Sequence, residues 1–226
     1  MTARKEPSHV SSKMKVFLVD DHASMREALA EAIQRQPDLV VCGQAAEANQ
    51  AMESIAVCKP DVAVVDISLE GKNGMELIKD IRVRCPRLAV LVFSMHDESL
   101  YAERAVRAGA QGYVRKNESL KNVIAAIRRV GVGELSLSEM VTKKLAQSAL
   151  GTRSEIVDSV GRLSDKELEI LRLIGKGYRT HEIARMLLIS ERTVETHRVH
   201  LRQKLNLRGA KDLLQYAIRW NQAGAS

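Results

Sequence analysis

The sequence predicts an α/β domain, doubly wound around a five-stranded parallel sheet, followed by an all-α domain of four helices. Two rhythms and a charge split point to this. From Lys15 to about Val130, short apolar runs alternate with helix-length amphipathic stretches. Runs that are apolar nearly throughout suit strands of a parallel sheet covered on both faces. From Leu163 onward the apolar period is helical. The formal charge of +7 is unevenly placed: residues 1–15 carry +3, 16–130 carry −1, 131–160 carry −1 and 161–226 carry +6. A near-neutral module joined to a small basic one suggests that the second faces a polyanion.

The strands are read at VFLVD (16–20), LVVCG (39–43), DVAVVD (61–66), LAVLVFS (88–94) and QGYVRK (111–116). Helices fall between them near 23–36, 47–57, 73–84, 98–108 and 119–130. Five βα units in so short a span make one doubly wound domain, 15–131, after a polar extension, 1–14. Gly131 and Gly133 stop the fifth helix, and 132–160 reads as a linker in which SLSEMVTKKLAQSAL forms a short helix before a polar tether. The four-helix domain spans 161–222, with breaks at Gly175 to Gly177, Leu188 to Ser190 and Asn206 to Ala210.

Composition excludes several classes. The 226 residues are 45% apolar and 28% charged, ordinary for a folded globular chain. Aromatics at 3% leave no stock of rings for stacking single-stranded nucleic acid. No apolar run reaches the roughly 18–20 residues of a membrane span, and the polar start is no signal peptide. Cys42, Cys58 and Cys85 show neither CxxC pairing nor ligand spacing with histidine. They read as reduced packing residues of a cytoplasmic protein.

Chemistry concentrates at strand ends, where open α/β sheets bind ligands. Strand one ends in Asp20-Asp21 and strand three in Asp66. One acid there is an ordinary cap, but three converging carboxylates repel unless a cation or proton intervenes. A hard divalent ion such as Mg²⁺ resolves that repulsion. Strand four ends in Ser94 and strand five in Lys116, adding a hydroxyl and a fixed cation. Such a set can receive a phosphoryl group. Nucleotide binding is disfavoured, because the first strand-to-helix turn is DDHAS, without GxGxxG or GxxxxGK[ST]. No G-x-S-x-G elbow appears. His22 is open to a general-base reading, though a residue there ordinarily begins a helix.

On these residues, the chain from about 15 to 130 resembles the receiver domain of two-component response regulators. The resemblance implies that Asp66 is the phosphoacceptor, and that Asp20, Asp21, Asp66 and the backbone carbonyl of Ser68 hold Mg²⁺. It also implies that Ser94 contacts the phosphoryl group, Lys116 pairs with it, and Ser94 and Tyr113 form the switch. The family usually carries Pro where this sequence has Glu70. That exchange removes a stiffener and adds a charge, which bears on phosphorylation rate and lifetime.

In the basic module, Ser164 and Glu167 form a capping box before the apolar stripe Leu168, Leu171, Ile174. Thr180 is expected to cap the second helix and Ser190 the third, with a short turn at Leu188-Ile189 making a helix-turn-helix. On the third helix Val194, Leu201 and Leu205 share one face. Arg192, Thr196, Val199 and Gln203 lie opposite, flanked by Glu195 and His200, a mixture suited to the DNA major groove. Residues 161–222 resemble the LuxR-type DNA-binding domain through LSDKELEIL, GKGYRTHEIARML and ISERTVETHRVHLRQKL. With the receiver, that resembles the NarL/FixJ group of response regulators.

The resemblance implies phosphate contacts from Thr193 and Lys204, helped by Arg192 and Arg198, with Thr180 also at the DNA. Base reading falls to Glu195, Thr196 and Val199. Lys is common in the family where Glu195 stands, and an acid can accept only from cytosine N4 or turn away. The implied partners are a sensor histidine kinase, double-stranded DNA and a second copy of the chain, with no membrane. Helix 98–108, strand five and helix 119–130 are candidates for pairing receivers. Leu213, Leu214, Ala217 and Ile218 are candidates either for pairing the DNA-binding domains or for their core. Two rivals are a receiver regulated by partner contact without phosphate and a phosphatase-like enzyme; otherwise no turnover of an external substrate is expected.

Overall fold

A computed structural model of the chain describes residues 13–69, 74–149 and 163–224. The polar extension (apart from Lys13 and Met14), Glu70, Gly71 and the tether at 151–162 lie outside them. The chain divides into two compact units between Leu145 and Ala146.

The first unit alternates as its apolar runs required: β1 Met14–Val19, α1 Ala23–Gln34, β2 Leu39–Ala45, α2 Ala48–Cys58, β3 Val62–Val65, α3 Gly74–Arg84, β4 Ala89–Ser94, α4 Glu98–Ala108, β5 Gly112–Arg115 and α5 Leu120–Gly131. All strand pairs are parallel, in the order β2-β1-β3-β4-β5. The winding therefore reverses between β1 and β3, opening a crevice beyond their carboxyl ends. Register makes that crevice acidic: Val19 lies opposite Val65, so the next residues, Asp20 and Asp66, emerge side by side.

Every β3 residue is buried, which is why the run lacks alternation. Val16, Leu18, Val64, Leu91 and Phe93 pack with Ile33 of α1 and Val123 and Ile127 of α5 in one core. At the β1–β2 pair the register shifts between Val16 and Phe17. A Cβ at Gly43 would stand 2.5 Å from the Phe17 ring, so that bulge admits only glycine without repacking. The cysteines are free and half-buried. The Cys58 thiol donates to the Cys42 carbonyl at 3.3 Å, and burial pushes the Cys42 thiol up to about 11, away from reactive thiolate.

Past α5 the chain keeps an order that its polar pattern does not announce. Tyr113 N donates to the Ser136 carbonyl at 3.0 Å, and Ser136 N donates to the Gln111 carbonyl at 2.9 Å. This parallel bridge covers part of the β5 edge. Ser138 N then donates to Glu98 Oε1 at 3.1 Å, at the start of α4. The expected linker helix follows as α6, Glu139–Ala149.

The second unit has four helices among its described residues: α7 Asp165–Gly175, α8 Thr180–Met186, α9 Glu191–Lys204 and α10 Ala210–Gly224. The capping box at Ser164 and Glu167 is present, and Ser190 caps α9. Thr180 does not cap α8. Arg179 takes that position, its amide donating to Glu182 Oε2 at 2.7 Å, and Thr180 is the first helical residue. The tight turn before α9 places Leu188 at φ 52 and leaves it exposed. Leu168, Leu171 and Ile174 of α7 are buried with Ile183, Val194, Leu201 and Leu205. On α10 the four apolar candidates separate by role. Leu213 and Ala217 are fully buried core, whereas Leu214 and Ile218 stay about 40% exposed.

Candidate functional site

The acid pocket stands at the carboxyl ends of β1, β3 and β5. Asp20 and Asp66 are buried and Asp21 is half-buried. Carboxylate oxygens of Asp20, Asp21 and Asp66, with a ring nitrogen of His22, lie within 4.8 Å of one another. Lys116 answers part of that charge from strand five: its Nζ is 2.6 Å from Asp20 Oδ2 and 2.7 Å from Asp66 Oδ2. Burial works against the ammonium, but the Asp66 and Asp20 carboxylates outweigh it and hold Lys116 above its ordinary value. The other Asp66 oxygen, Oδ1, accepts from Ser68 N at 2.9 Å. Three carboxylates against one ammonium leave the pocket net negative. The oxygen-rich donor set fits a hard divalent cation such as Mg²⁺.

His22 is where α1 begins, at extended φ −81 and ψ 101. Its amide donates to Asp20 Oδ1 at 2.9 Å, and its ring nitrogen Nδ1 lies 2.6 Å from Asp21 Oδ1. Gly74 opens α3 directly behind the phosphoacceptor candidate. A Cβ there would meet the Asp66 carbonyl at 2.2 Å, so glycine alone lets the helix start against the strand end.

Ser94 ends β4 and is fully buried, its Oγ accepting from His96 N at 3.3 Å. Tyr113 is buried too, its ring turned inward and its hydroxyl donating to the His96 carbonyl at 3.2 Å. Burial holds that phenol well above its usual range, so it remains a donor throughout ordinary pH. His96 stacks on Tyr101 of α4, ring centres 4.5 Å apart. Sequence reading placed Ser94 and Tyr113 here but missed His96 and Tyr101. Their contact joins a loop to a helix five residues on, and neither residue carries a motif. The covered β5 edge and the Glu98–Ser138 bond were missed for the same reason.

In the second unit, α9 presents Arg192, Thr196, Val199 and Gln203 outward, as its period predicted. Val199 is 39% exposed. Thr193 is half-buried, its hydroxyl 2.8 Å from that of Ser190. Three other candidates engage one another: Thr180 Oγ1 donates to Glu195 Oε1 at 2.7 Å, and Arg198 donates to Thr180 Oγ1 at 3.2 Å. The Glu195 carboxylate is thus turned toward α8. Lys204 also has a partner within the domain, donating to Glu167 Oε2 at 2.7 Å. Among the described residues, no helix is long and apolar enough to cross a membrane.

Comparison with known proteins assigns a family to each of the two regions that carry these residues. Residues 16–128 match the family described as response regulator receiver domain, and 161–217 match the bacterial regulatory proteins of the luxR family. The oxygen regulatory protein NreC of Staphylococcus carnosus (strain TM300) is 34% identical over 211 residues, covering 91% of this chain and 97% of that protein. NreC of Staphylococcus aureus (strain JH9) matches equally. A crystal structure of a LuxR-family two-component response regulator from Aurantimonas sp. SI85-9A1 aligns at TM-score 0.56 and 32% identity, over 62% of this chain and 99% of that one. RcsB of Salmonella enterica serovar Typhimurium, solved bound to a promoter, shares the fold at TM-score 0.58 and 23% identity, over 91% of this chain and 98% of its own. Two matched domains in this order, and relatives aligned over nearly the full length, make this chain a member of the NarL/FixJ-type two-component response regulators, transcription regulators with a receiver and a LuxR-type DNA-binding domain.

Proposed function

We propose that this regulator works in the cytoplasm, where a sensor histidine kinase phosphorylates Asp66 in the presence of Mg²⁺, and that the phosphoryl group controls pairing of two chains and their grip on double-stranded DNA. The observation that carries this reading is the setting of Asp66, a buried carboxylate bracketed by Lys116, Asp20 and the Ser68 amide. Asp66 attacks the phosphorus of a phosphohistidine; the new P–O bond forms as the P–N bond breaks, and the kinase imidazole leaves. Lys116 stays beside the acceptor and offsets charge on the phosphoryl oxygens. When bound by Asp20, Asp21, Asp66 and the Ser68 carbonyl, Mg²⁺ supplies further neutralisation of those oxygens. Ser94 donates to the phosphoryl group, and its movement is read by Tyr113 and His96. No external substrate is turned over.

At the DNA, Arg192, Thr193, Arg198 and Lys204 hold phosphates, while Thr196 and Val199 read base edges in the major groove. Thr180 and Glu195 act together, because the hydroxyl holds the carboxylate away from the groove. Pairing through helix 98–108, strand five and helix 119–130, with Leu214 and Ile218, fits two-fold operators and adds avidity.

The test is mass spectrometry after exposure to a small phosphodonor with Mg²⁺, followed by light scattering and DNA binding. The parent should gain one phosphoryl group, increase in mass and bind its operator more tightly. Asp66→Asn should do none of these. Equal phosphate uptake by Asp66→Asn overturns the acceptor assignment, and full regulation in that variant favours control by partner contact alone.

A further inference from the structure

A second cluster of ligand atoms lies in the DNA-binding domain, between α7 and the flank of α9. Glu167 of α7 and His197 and His200 of α9 each offer one atom within 4.8 Å of the others. The histidines are three residues apart, so they project from the same side of α9. Glu167 faces them from α7, with its Oε1 4.0 Å from His200 Nδ1. The two imidazoles meet edge to face, ring centres 6.4 Å apart.

Two features separate this cluster from ordinary polar packing. His197 Nδ1 is buried without a hydrogen-bond partner, and a buried polar atom in that state calls for a water, a group or an ion to complete it. Glu167 is buried and already oriented: Oε2 accepts from Ser164 N and from Lys204 Nζ, each at 2.7 Å. That leaves Oε1 turned to the histidines. A carboxylate whose outer oxygen is fixed by hydrogen bonds is the arrangement that supports metal ligation elsewhere.

We propose that Glu167, His197 and His200 bind a divalent transition metal of the zinc class, with the remaining position left to water. Two imidazoles with one carboxylate select zinc, nickel or copper over magnesium. Ligand bonds of about 2.0–2.2 Å put tetrahedral donors roughly 3.4 Å apart, so the triangle must contract by about 1 Å. The half-exposed ring of His200 has room to supply that movement. Lys204 offsets part of the Glu167 charge and so weakens the attraction for the cation. The bound ion ties α7 to the helix carrying Thr196 and Val199. It therefore stiffens the reading head and stabilises the domain by an amount that rises with the logarithm of metal concentration above the Kd.

The experiment titrates the full chain, with excess Mg²⁺ occupying the acid pocket, with Zn²⁺ by calorimetry and with Co²⁺ by visible absorption. One saturable site is expected, with no thiolate-to-cobalt charge-transfer band, and with Co²⁺ perturbing the His197 and His200 ring resonances in NMR spectra. His200→Ala and His200→Gln, at a half-exposed position, should keep the parent's circular dichroism and weaken binding at least about tenfold. The absence of a saturable site overturns the proposal. So does binding unchanged in both variants, or ring perturbation confined to His22.

Discussion

Replacing Lys116 with methionine removes the ammonium from the acid pocket while keeping most of its volume. Lys116 stands 2.6 and 2.7 Å from two buried carboxylates. At an effective dielectric near 20, each contact represents about 6 kcal/mol of gross attraction. Desolvation of all three groups takes back much of it, and removing one partner of a buried ion pair typically costs about 3–5 kcal/mol net. For a domain of this size that lowers the receiver's melting temperature by about 10–20 °C without divalent ion. Added Mg²⁺ should restore more stability to Lys116→Met than to the parent. A ligand at 100 times its Kd contributes about 2.7 kcal/mol, and the variant's pocket is one charge more negative. The assay is calorimetric melting of the full chain in chelator and in saturating Mg²⁺, following the receiver transition. The reasoning is refuted if Lys116→Met melts with the parent in chelator, or if Mg²⁺ raises both equally.

Two further outcomes follow from the partners of charged residues. Arg192→Ala should weaken binding to all DNA sequences and lower the slope of log affinity against log salt by about 0.9, whereas Lys204→Ala should also lower the melting temperature of the DNA-binding domain, because it strips a partner from buried Glu167; fluorescence anisotropy across salt, paired with melting curves, separates the two. Arg128 holds exposed Asp38 through bonds of 2.7 and 2.8 Å and so keeps its carboxyl below the ordinary 3.8. A depressed folded value stabilises above the unfolded one, so this contribution is present at neutral pH and lost as pH falls below about 4. Since the pair is exposed, Arg128→Ala should cost less than about 1 kcal/mol at pH 7, and a larger loss by denaturant titration would show that the pair does more than screen a surface.

Much of the site was legible because strand ends are legible. An apolar run that stops at Asp, Ser or Lys announces both its strand and the residue at its end, and parallel winding carries all such ends to one edge. Asp20, Asp66, Ser94 and Lys116 therefore came together as expected. The recognition helix was legible through its period, which put Val194 and Leu201 inside and Val199 outside. Thr180 was misread because hydroxyl residues suit both the cap and the first turn, and only the Arg179 backbone settles which position each takes.

By itself, then, the sequence determined two domains, the order of their elements and the residues at each strand end, since burial period and chain order are local properties. Only tertiary structure decided how the charges pair. It placed Lys116 between two carboxylates, turned Glu195 to Thr180, engaged Lys204 with Glu167 and set Glu167 facing two histidines. It also laid Ser136 along β5 and divided the apolar residues of α10 between core and surface. Each of these joins groups from different elements, and the energy of a charge or an edge depends on what stands within a few ångströms of it. Sequence period says which side of a helix a residue occupies, but not what another helix places against it.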